Sequence, residues 1–382
     1  MTDLSAETSG SDDSPDCPRP ARLSGIGGCF KAEPEDFFVE EIPSYEPSGA
    51  GEHLFLWIQK RDISAETLVE TIASTLGISR DVIGTAGLKD RRAVTRQWVC
   101  VPVAAAEQVP LLNGAAIQVL RSELHHNKLK TGHLRGNRFN LLIRNVAPDA
   151  LTRAEEIRRE VEATGIPNEF GEQRFGFDGR TLELGMSLLK GTVPANSIPF
   201  RRRKFLLRLA LSAAQSALFN DVLQRRQAQG TLQTVLPGDV MQVRASGGLF
   251  VAEDVDVEQE RYDRRETVIT GPLFGPKMKS PLHAVFELEQ AALEAAGLSR
   301  DLFRSHKKLT PGGRRPLLMF PDELHCEHDP DGVRLLFALP SGSYATVVLQ
   351  TFMGEQSPPE EKSESAVGTQ TVETLSVCED LV

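Results

Sequence analysis

GTAGLKDRRAVTRQWVC, residues 84–100, is the stretch on which the reading of this chain turns. A single acid, Asp90, stands among Lys89, Arg91, Arg92 and Arg96. Gly84 and Gly87 precede it, and a β-like run follows in which Val99, Val101 and Val103 share one face. Read from the residues alone, this is either a solvated charge cluster on a turn or a carboxylate set on a glycine-shaped loop. In the second case neighbouring cations keep it ionised and the loop fronts an anionic substrate. The glycines are expected to supply φ > 0 or a close backbone approach. The GxxxxGK[ST] phosphate loop is not there.

Working outward, "DFFVEEI" and "HLFLWIQK" read as strands separated by the turn-rich "PSYEPSGAGE". "AETLVETIASTLG" places Leu68, Ile72 and Leu76 on one helical face with Gly77 as the stop. "NRFNLLIRNV" is strand-like, and "LTRAEEIRREVEATG" is a helix ended by Gly165 and Pro167. Strands and helices do not alternate strictly, so the class is α+β. After residue 165 the character changes. A long helix over 203–229 is followed by short β-like pieces with Gly/Pro punctuation, then by the helix "HAVFELEQAALEAAG". "GVRLLFALP" returns to the earlier composition.

The 382 residues carry a net charge of −10, but residues 1–16 hold five acids and no base, and residues 355–382 hold seven acids and one lysine. These tails account for more than the whole deficit, which leaves the body close to neutral. Both read as disordered. Within the body, cations cluster at "HHNKLKTGHLRGNR" (125–138), "RRRK" (201–204) and "RSHKKLTPGGRR" (304–315), a pattern suited to a polyanion. Five scattered cysteines without a CxxC pair imply reduced thiols in the cytoplasm. No apolar run approaches the ~20 residues that span a bilayer. "HCEHDPD" (325–331) contains two histidines and a cysteine, but one short cluster without a second ligand pair reads as a polar turn rather than a zinc site.

The residues of the opening stretch also resemble a known signature. Gly87, Lys89, Asp90, Arg91, Ala93, Thr95 and Gln97 match, in order and spacing, the G-x-K-D-[KR]-x-A-x-T-x-Q pattern of the TruD family of tRNA pseudouridine synthases. "FKAEPEDFFVEE" (30–41), "GNRFNL" (136–141), "GIPNEFGEQRFG" (165–176) and "PSGSYATVV" (340–348) are similar to four further motifs of that family in the same order. The resemblance implies a catalytic domain of pseudouridine-synthase fold with a mixed/antiparallel sheet, interrupted by a TruD-specific α+β insertion domain. The expected division is 1–20 acidic tail, 21–165 catalytic domain, 166–310 insertion, 311–354 return segment and 355–382 acidic tail. It implies an isomerase, without metal or cofactor, that converts a uridine of tRNA, at position 13 of the D arm, to pseudouridine. Asp90 would be the nucleophile. Phe37, Asn137, Phe139 and Tyr344 would hold an extruded base, and Lys31 and Lys89 would face phosphate or support the acid. The partner is tRNA, with no membrane, and the chain is expected to act as a monomer. Two rivals follow from the same residues: a catalytically silent RNA-binding or RNA-folding protein on this scaffold, and a base-hydrolysing glycosidase, which would ordinarily need a second carboxylate beside Asp90.

Overall fold

The computed structural model describes residues 24–354, so both acidic tails lie outside the described residues. The chain opens with β1 (Phe37–Pro43), β2 (His53–Arg61), α1 (Ala65–Leu76), β3 (Gly84–Thr85), β4 (Val94–Pro102), β5 (Ile117–His125), β6 (Leu134–Arg144) and α2 (Ala150–Thr164). Helix α1 forms where the apolar spacing places it. Ser64 caps its start by accepting from the Thr67 N–H, Gly77 ends it at φ 64°, and Leu68, Ile72 and Leu76 are buried.

The chain then passes through β7 (Ile166–Pro167), α3 (Arg180–Lys190), α4 (Phe200–Ala228), β8 (Val240–Val243), β9 (Leu249–Val251), α5 (Val255–Asp263), β10 (Thr267–Leu273), α6 (His283–Ala295), β11 (Gly313–Pro316) and β12 (Leu318–Met319). It returns with β13 (Asp322–Asp329), β14 (Gly332–Pro340) and α7 (Ala345–Met353). Strands from the two ends of the chain build one eight-stranded sheet, ordered β13-β14-β6-β1-β4-β2-β5, with β3 added to β4. The middle of the chain builds a separate four-stranded sheet, β11-β10-β8-β9. The small β7–β12 ladder ties the outgoing and returning crossings together, Ile166 opposite Met319.

In the large sheet β1 and β4 run parallel, and its other ladders are antiparallel. One face carries two apolar clusters. Leu68, Ile72 and Leu76 of α1 cover Leu54, Leu56, Ile58, Val99 and Val101. Helices α2 and α7 cover Phe37, Val39, Leu141, Ile143, Leu335 and Phe337 through Ile157, Val161, Leu349 and Phe352. The middle body has its own cores around Phe219, Met241 and Ile269, and around Leu211, Leu218 and Phe303. There the buried ion pairs Arg226–Asp239 (2.6 Å) and Arg314–Glu289 (2.7 Å) hold helix to sheet. The stretch 325–331 is not a turn: it lies mostly in β13, an edge strand whose Cys326 packs inward toward Ala154 while His325 is exposed. An edge strand with one solvated face is polar at alternate positions, which is why its sequence resembles a loop.

Candidate active site

The site forms where the large sheet divides. Strand β2 occupies one edge of β4 over its whole length, from His53–Pro102 to Arg61–Val94. The other edge is shared: β1 pairs with Val94–Arg96, and β3 pairs with Val99 and Cys100. Gln97 and Trp98 therefore face the gap between β1 and β3, and the segment 86–93 spans that gap. On the helix-covered face, between the two apolar clusters, the sheet carries a polar belt of Lys60, Thr95, Gln97, Glu41 and Asn137.

Asp90 sits on this segment with its side chain 45% exposed. Its backbone is pinned from below, where Lys60 is fully buried and donates from Nζ to the main-chain oxygens of Asp90 and Ile63, 2.6 Å each. Its carboxylate is approached from the side by Lys31, whose Nζ is 3.1 Å from Oδ1. Lys31 has φ 60°, an uncommon conformation for a residue with a side chain and one that concentrates at functional sites. Arg92 donates to the main-chain oxygen of Ala32 at 2.6 Å, so the segments bearing Lys31 and Asp90 are stitched together. Arg96 is committed to Gln59 (3.0 Å) and Glu40 (3.3 Å), whereas Arg91 is exposed and has no partner among the described residues.

Lys89 points the other way. It is buried against Glu41, Nζ to Oε2 3.0 Å, with both side chains almost inaccessible. Burial pushes the Glu41 carboxyl above its usual range, against the opposing pull of Lys89 and of the Trp98 main-chain N–H. Asn137 lies opposite Glu41 on β6, and its buried Oδ1 has no hydrogen-bond partner among the described residues. Gln97 Oε1 is in the same state.

The two glycines of the opening stretch differ. A Cβ at Gly84 would lie 2.3 Å from the Leu129 carbonyl oxygen, so close approach requires glycine there. Gly87 has ordinary φ, and a Cβ would meet only van der Waals contacts at 3.7 Å, so neither expected reason applies to it.

Phe37 and Phe139 are both buried, at 1% and 6% exposure, and meet edge-to-face at 6.3 Å; Phe139 stacks on Phe337 at 5.1 Å. The Lys31 ammonium lies 4.0 Å from the Phe37 ring centroid. Lys31 thus links Asp90 to the buried rings of Phe37 and Phe139, whereas Lys89 turns inward to Glu41, opposite Asn137, and faces neither Asp90 nor solvent. Tyr344 is not held in this group. It precedes α7 and packs against the middle body, 5.8 Å from Arg315, a guanidinium that also lies over Phe170 (4.2 Å) and donates to the Asn168 carbonyl. Burial brings the Arg315 pKa down to about 10. In the 30–41 motif, Asp36 is structural. It accepts a forked pair from Arg144 (2.8–3.0 Å) and the Glu33 N–H (2.9 Å).

The sequence pattern did not single out Lys60; Gln97 and Glu41 lie within matched motifs but were assigned no role there. Basic stretch 125–138 flanks the site: the Gly132 N–H donates to the Ala86 carbonyl at 2.8 Å. Beside it opens a cavity of about 510 Å³ lined by Tyr45, Glu46, His125, Asn127, Lys128, Lys130 and His133. Among the described residues no group of three or more His, Cys, Asp or Glu is placed to hold a metal, and no helix is long and apolar enough to cross a membrane.

A mixed sheet split by a carboxylate-bearing segment, with a second α+β body inserted before the last two strands, defines a protein of the pseudouridine-synthase fold. The family model for tRNA pseudouridine synthase D (TruD) matches residues 20–196 and 202–352. The chain is 40% identical over 332 residues to tRNA pseudouridine synthase D of Thermus thermophilus, covering 87% of this chain and 90% of that one. It is 40% identical over 342 residues to the protein of that name from Anaeromyxobacter dehalogenans, covering 89% and 97%. A crystal structure from Methanosarcina mazei, assigned to tRNA pseudouridine synthase D, superposes with a TM-score of 0.71 at 24% identity over 87% of this chain and 94% of that one, a likeness of fold. The chain belongs to the TruD family of pseudouridine synthases.

Proposed function

We propose that the protein isomerises a uridine of tRNA to pseudouridine, with Asp90 as the reacting carboxylate. The observation that carries this reading is the way Asp90 is held: an exposed carboxylate on a backbone fixed by the buried ammonium of Lys60, with Lys31 at 3.1 Å. A group that must attack needs access and a fixed position together. In the reaction the N1–C1′ bond breaks, the uracil turns, and C5 bonds to C1′, releasing the C5 proton to solvent. One carboxylate suffices, either by attack or by taking a sugar proton.

The neighbouring acids support isomerisation over hydrolysis. Glu35, Asp36, Glu40 and Glu41 are each engaged by a cation, respectively Arg61, Arg144, Arg96 and Lys89, and Glu33 forms a capping box with Asp36, so a second carboxylate beside Asp90 would have to come from one of these committed acids. The target base would leave its stack to reach Asp90. Asn137 Oδ1, buried and unpartnered, suits an N–H of the uracil edge. Phe37 and Phe139 would form the apolar wall against which the base rests, Lys31 moving off the Phe37 ring as it enters. A role for Tyr344, which packs against the middle body, rests on the family resemblance alone. The uridine at position 13 of the D arm is the target that the family resemblance implies. We read residues 166–310 as the insertion that holds the rest of the RNA. We read the chain as a monomer acting in the cytoplasm, a compartment that suits the free thiols Cys29, Cys100 and Cys326.

Tritium release from C5-labelled tRNA tests the proposal. Wild-type protein should release tritium and Asp90→Asn should not. No release by wild-type protein would favour the silent RNA-binding reading; release surviving in Asp90→Asn would refute the role of the carboxylate. A free uracil product would indicate a glycosidase instead.

A further inference from the structure

Helix α4 begins with a surface that the active site does not use. Residues 184–220 contain Lys190, Arg201, Arg202, Arg203, Lys204 and Arg208 and no Asp or Glu, in a chain whose net charge is −10. Helical geometry places Phe200, Arg201, Lys204, Phe205 and Arg208 along one stripe, at i, i+1, i+4, i+5 and i+8, and all five are exposed. Phe200 is 84% exposed and Phe205 46%. The opposite side of the helix is committed to the core through Ala210, Leu211 and Ala214, with Leu206 and Leu207 packed alongside.

Two details separate this stripe from an ordinary solvated surface. Arg201, Arg202, Lys204 and Arg208 have no carboxylate partner among the described residues, whereas Arg225, later in the same helix, is paired with Asp221 at 2.8 Å. Arg203 is spent on construction. It donates to the main-chain oxygens of Ile198 and Asn196 (3.0 Å each), which fixes the turn before the helix, and its guanidinium lies 5.7 Å from the Phe200 ring centroid. An exposed ring is thus held in place between unpaired cations.

We infer that this stripe, with Arg202 flanking it, is an RNA-binding surface: Arg201, Arg202, Lys204 and Arg208 neutralise phosphates, and Phe200 and Phe205 offer stacking faces to unpaired bases of the same RNA. Cations that follow a backbone, with aromatic rings between them, are how sequence-tolerant single-stranded or loop nucleic acid is bound. The free N–H groups and dipole of the helix start add positive potential at the same end. A membrane is disfavoured because cations interrupt the apolar positions all along the stripe and leave no continuous face to insert. The inference rests on the proposal that the substrate is tRNA and adds a second contact surface to it.

The test uses two variants of the full chain, R201Q/R202Q/K204Q/R208Q and F200A/F205A, all at exposed positions. Affinity for full-length tRNA is measured from 50 to 250 mM KCl, with tritium release at saturating tRNA and Tm alongside. Losing four phosphate contacts should flatten the slope of log K against log salt by about 3 and weaken binding at least ~10-fold. Losing the rings should weaken binding by about 10-fold with the slope unchanged. Tm and the saturated rate should stay at wild-type values in both. Unchanged affinity and slope in both variants would overturn the inference. So would flotation of the wild-type protein with phosphatidylserine vesicles that the variants abolish while tRNA affinity stays constant. If the wild type releases no tritium yet binds tRNA in this stripe-dependent way, the activity reading falls and this inference stands. If release is intact and tRNA affinity ignores the stripe, this inference falls alone.

Discussion

Replacing Lys60 by Met keeps the length and apolar stem of the side chain and removes the ammonium. In the wild type that ammonium donates at 2.6 Å to the carbonyls of Asp90 and Ile63 in a site without solvent access. Hydrogen bonds to a charged group contribute about 1.5–3 kcal/mol each, and the abandoned carbonyls would stay buried, so folding stability should fall by roughly 3–5 kcal/mol. The effect on chemistry is separate. If the Asp90 backbone relaxes by about 1 Å, the rate should fall roughly 100-fold, or about 2.7 kcal/mol of barrier. Affinity for tRNA should change by less than about threefold, because phosphate contacts elsewhere supply most of it. Lys60→Arg keeps the charge, but a planar fork cannot replace a point donor between two carbonyls, and an intermediate rate is expected. Single-turnover tritium release gives the rate, filter binding the affinity, and thermal unfolding the stability. A Lys60→Met protein with lowered Tm and a rate within threefold of wild type would refute the positioning argument, leaving Lys60 only a structural role. A parallel fall in rate and affinity would refute it as well.

Two further outcomes concern the frame of the site. Burial raises the Asp36 pKa, but the Arg144 fork and the Glu33 N–H outweigh it and the net shift is downward. A carboxyl whose folded pKa lies below its unfolded value stabilises fully above the unfolded value and loses that stabilisation as pH falls through the folded one. Asp36→Asn should therefore cost about 3 kcal/mol at pH 7, and the difference from wild type should shrink as pH falls from the unfolded value of 3.8 through the folded one in a urea-midpoint series; a constant difference at all pH would count against the ion pair. Lys89→Met leaves the buried Glu41 carboxylate unpaired and should cost about 3–5 kcal/mol, much of which the added change Glu41→Gln should restore. A double variant as unstable as Lys89→Met alone would show that Lys89 acts through some contact other than Glu41.

How far the sequence could be read depended on the range of the forces involved. Helix α1 was legible because its apolar period, its Ser64 cap and its Gly77 stop are local. The start of α4 was not: periodicity suggested residue 203, whereas the helix begins at Phe200, whose exposed ring removes the apolar signal that marks a boundary. Lys60 in "WIQKRD" looks like the outward end of a strand, and its burial appears only when β2 pairs with β4, Lys60 opposite Thr95, and the Asp90 segment closes over it. The functional motifs were read as separate pieces. That Lys31 reaches Asp90 across 59 positions, and that Asn137 meets Glu41, are facts of strand register. The Gly84 requirement likewise comes from Leu129, 45 residues away in the chain.

On the proposal that Asp90 is the reacting carboxylate, the arrangement around it answers a conflict in the chemistry. A reactive carboxylate is more potent when water is excluded, yet a carboxylate buried in the free protein would resist ionisation. Here the backbone is desolvated while the side chain stays in water: Lys60 and the Lys89–Glu41 pair are buried beneath a carboxylate that is 45% exposed. Lys31 keeps the acid paired before substrate arrives, and its ammonium also covers the Phe37 face that a base would use. An entering uracil would therefore displace Lys31 from the ring and cover Asp90 in the same movement, so that dehydration of the acid comes only with the correct base in place. On this argument Lys31 gates the site, and its removal should loosen discrimination between uridine and cytidine contexts more than it lowers the rate on the correct tRNA. A Lys31→Met protein with the rate lost and the discrimination intact would show that the ammonium acts on the reacting carboxylate rather than on base entry.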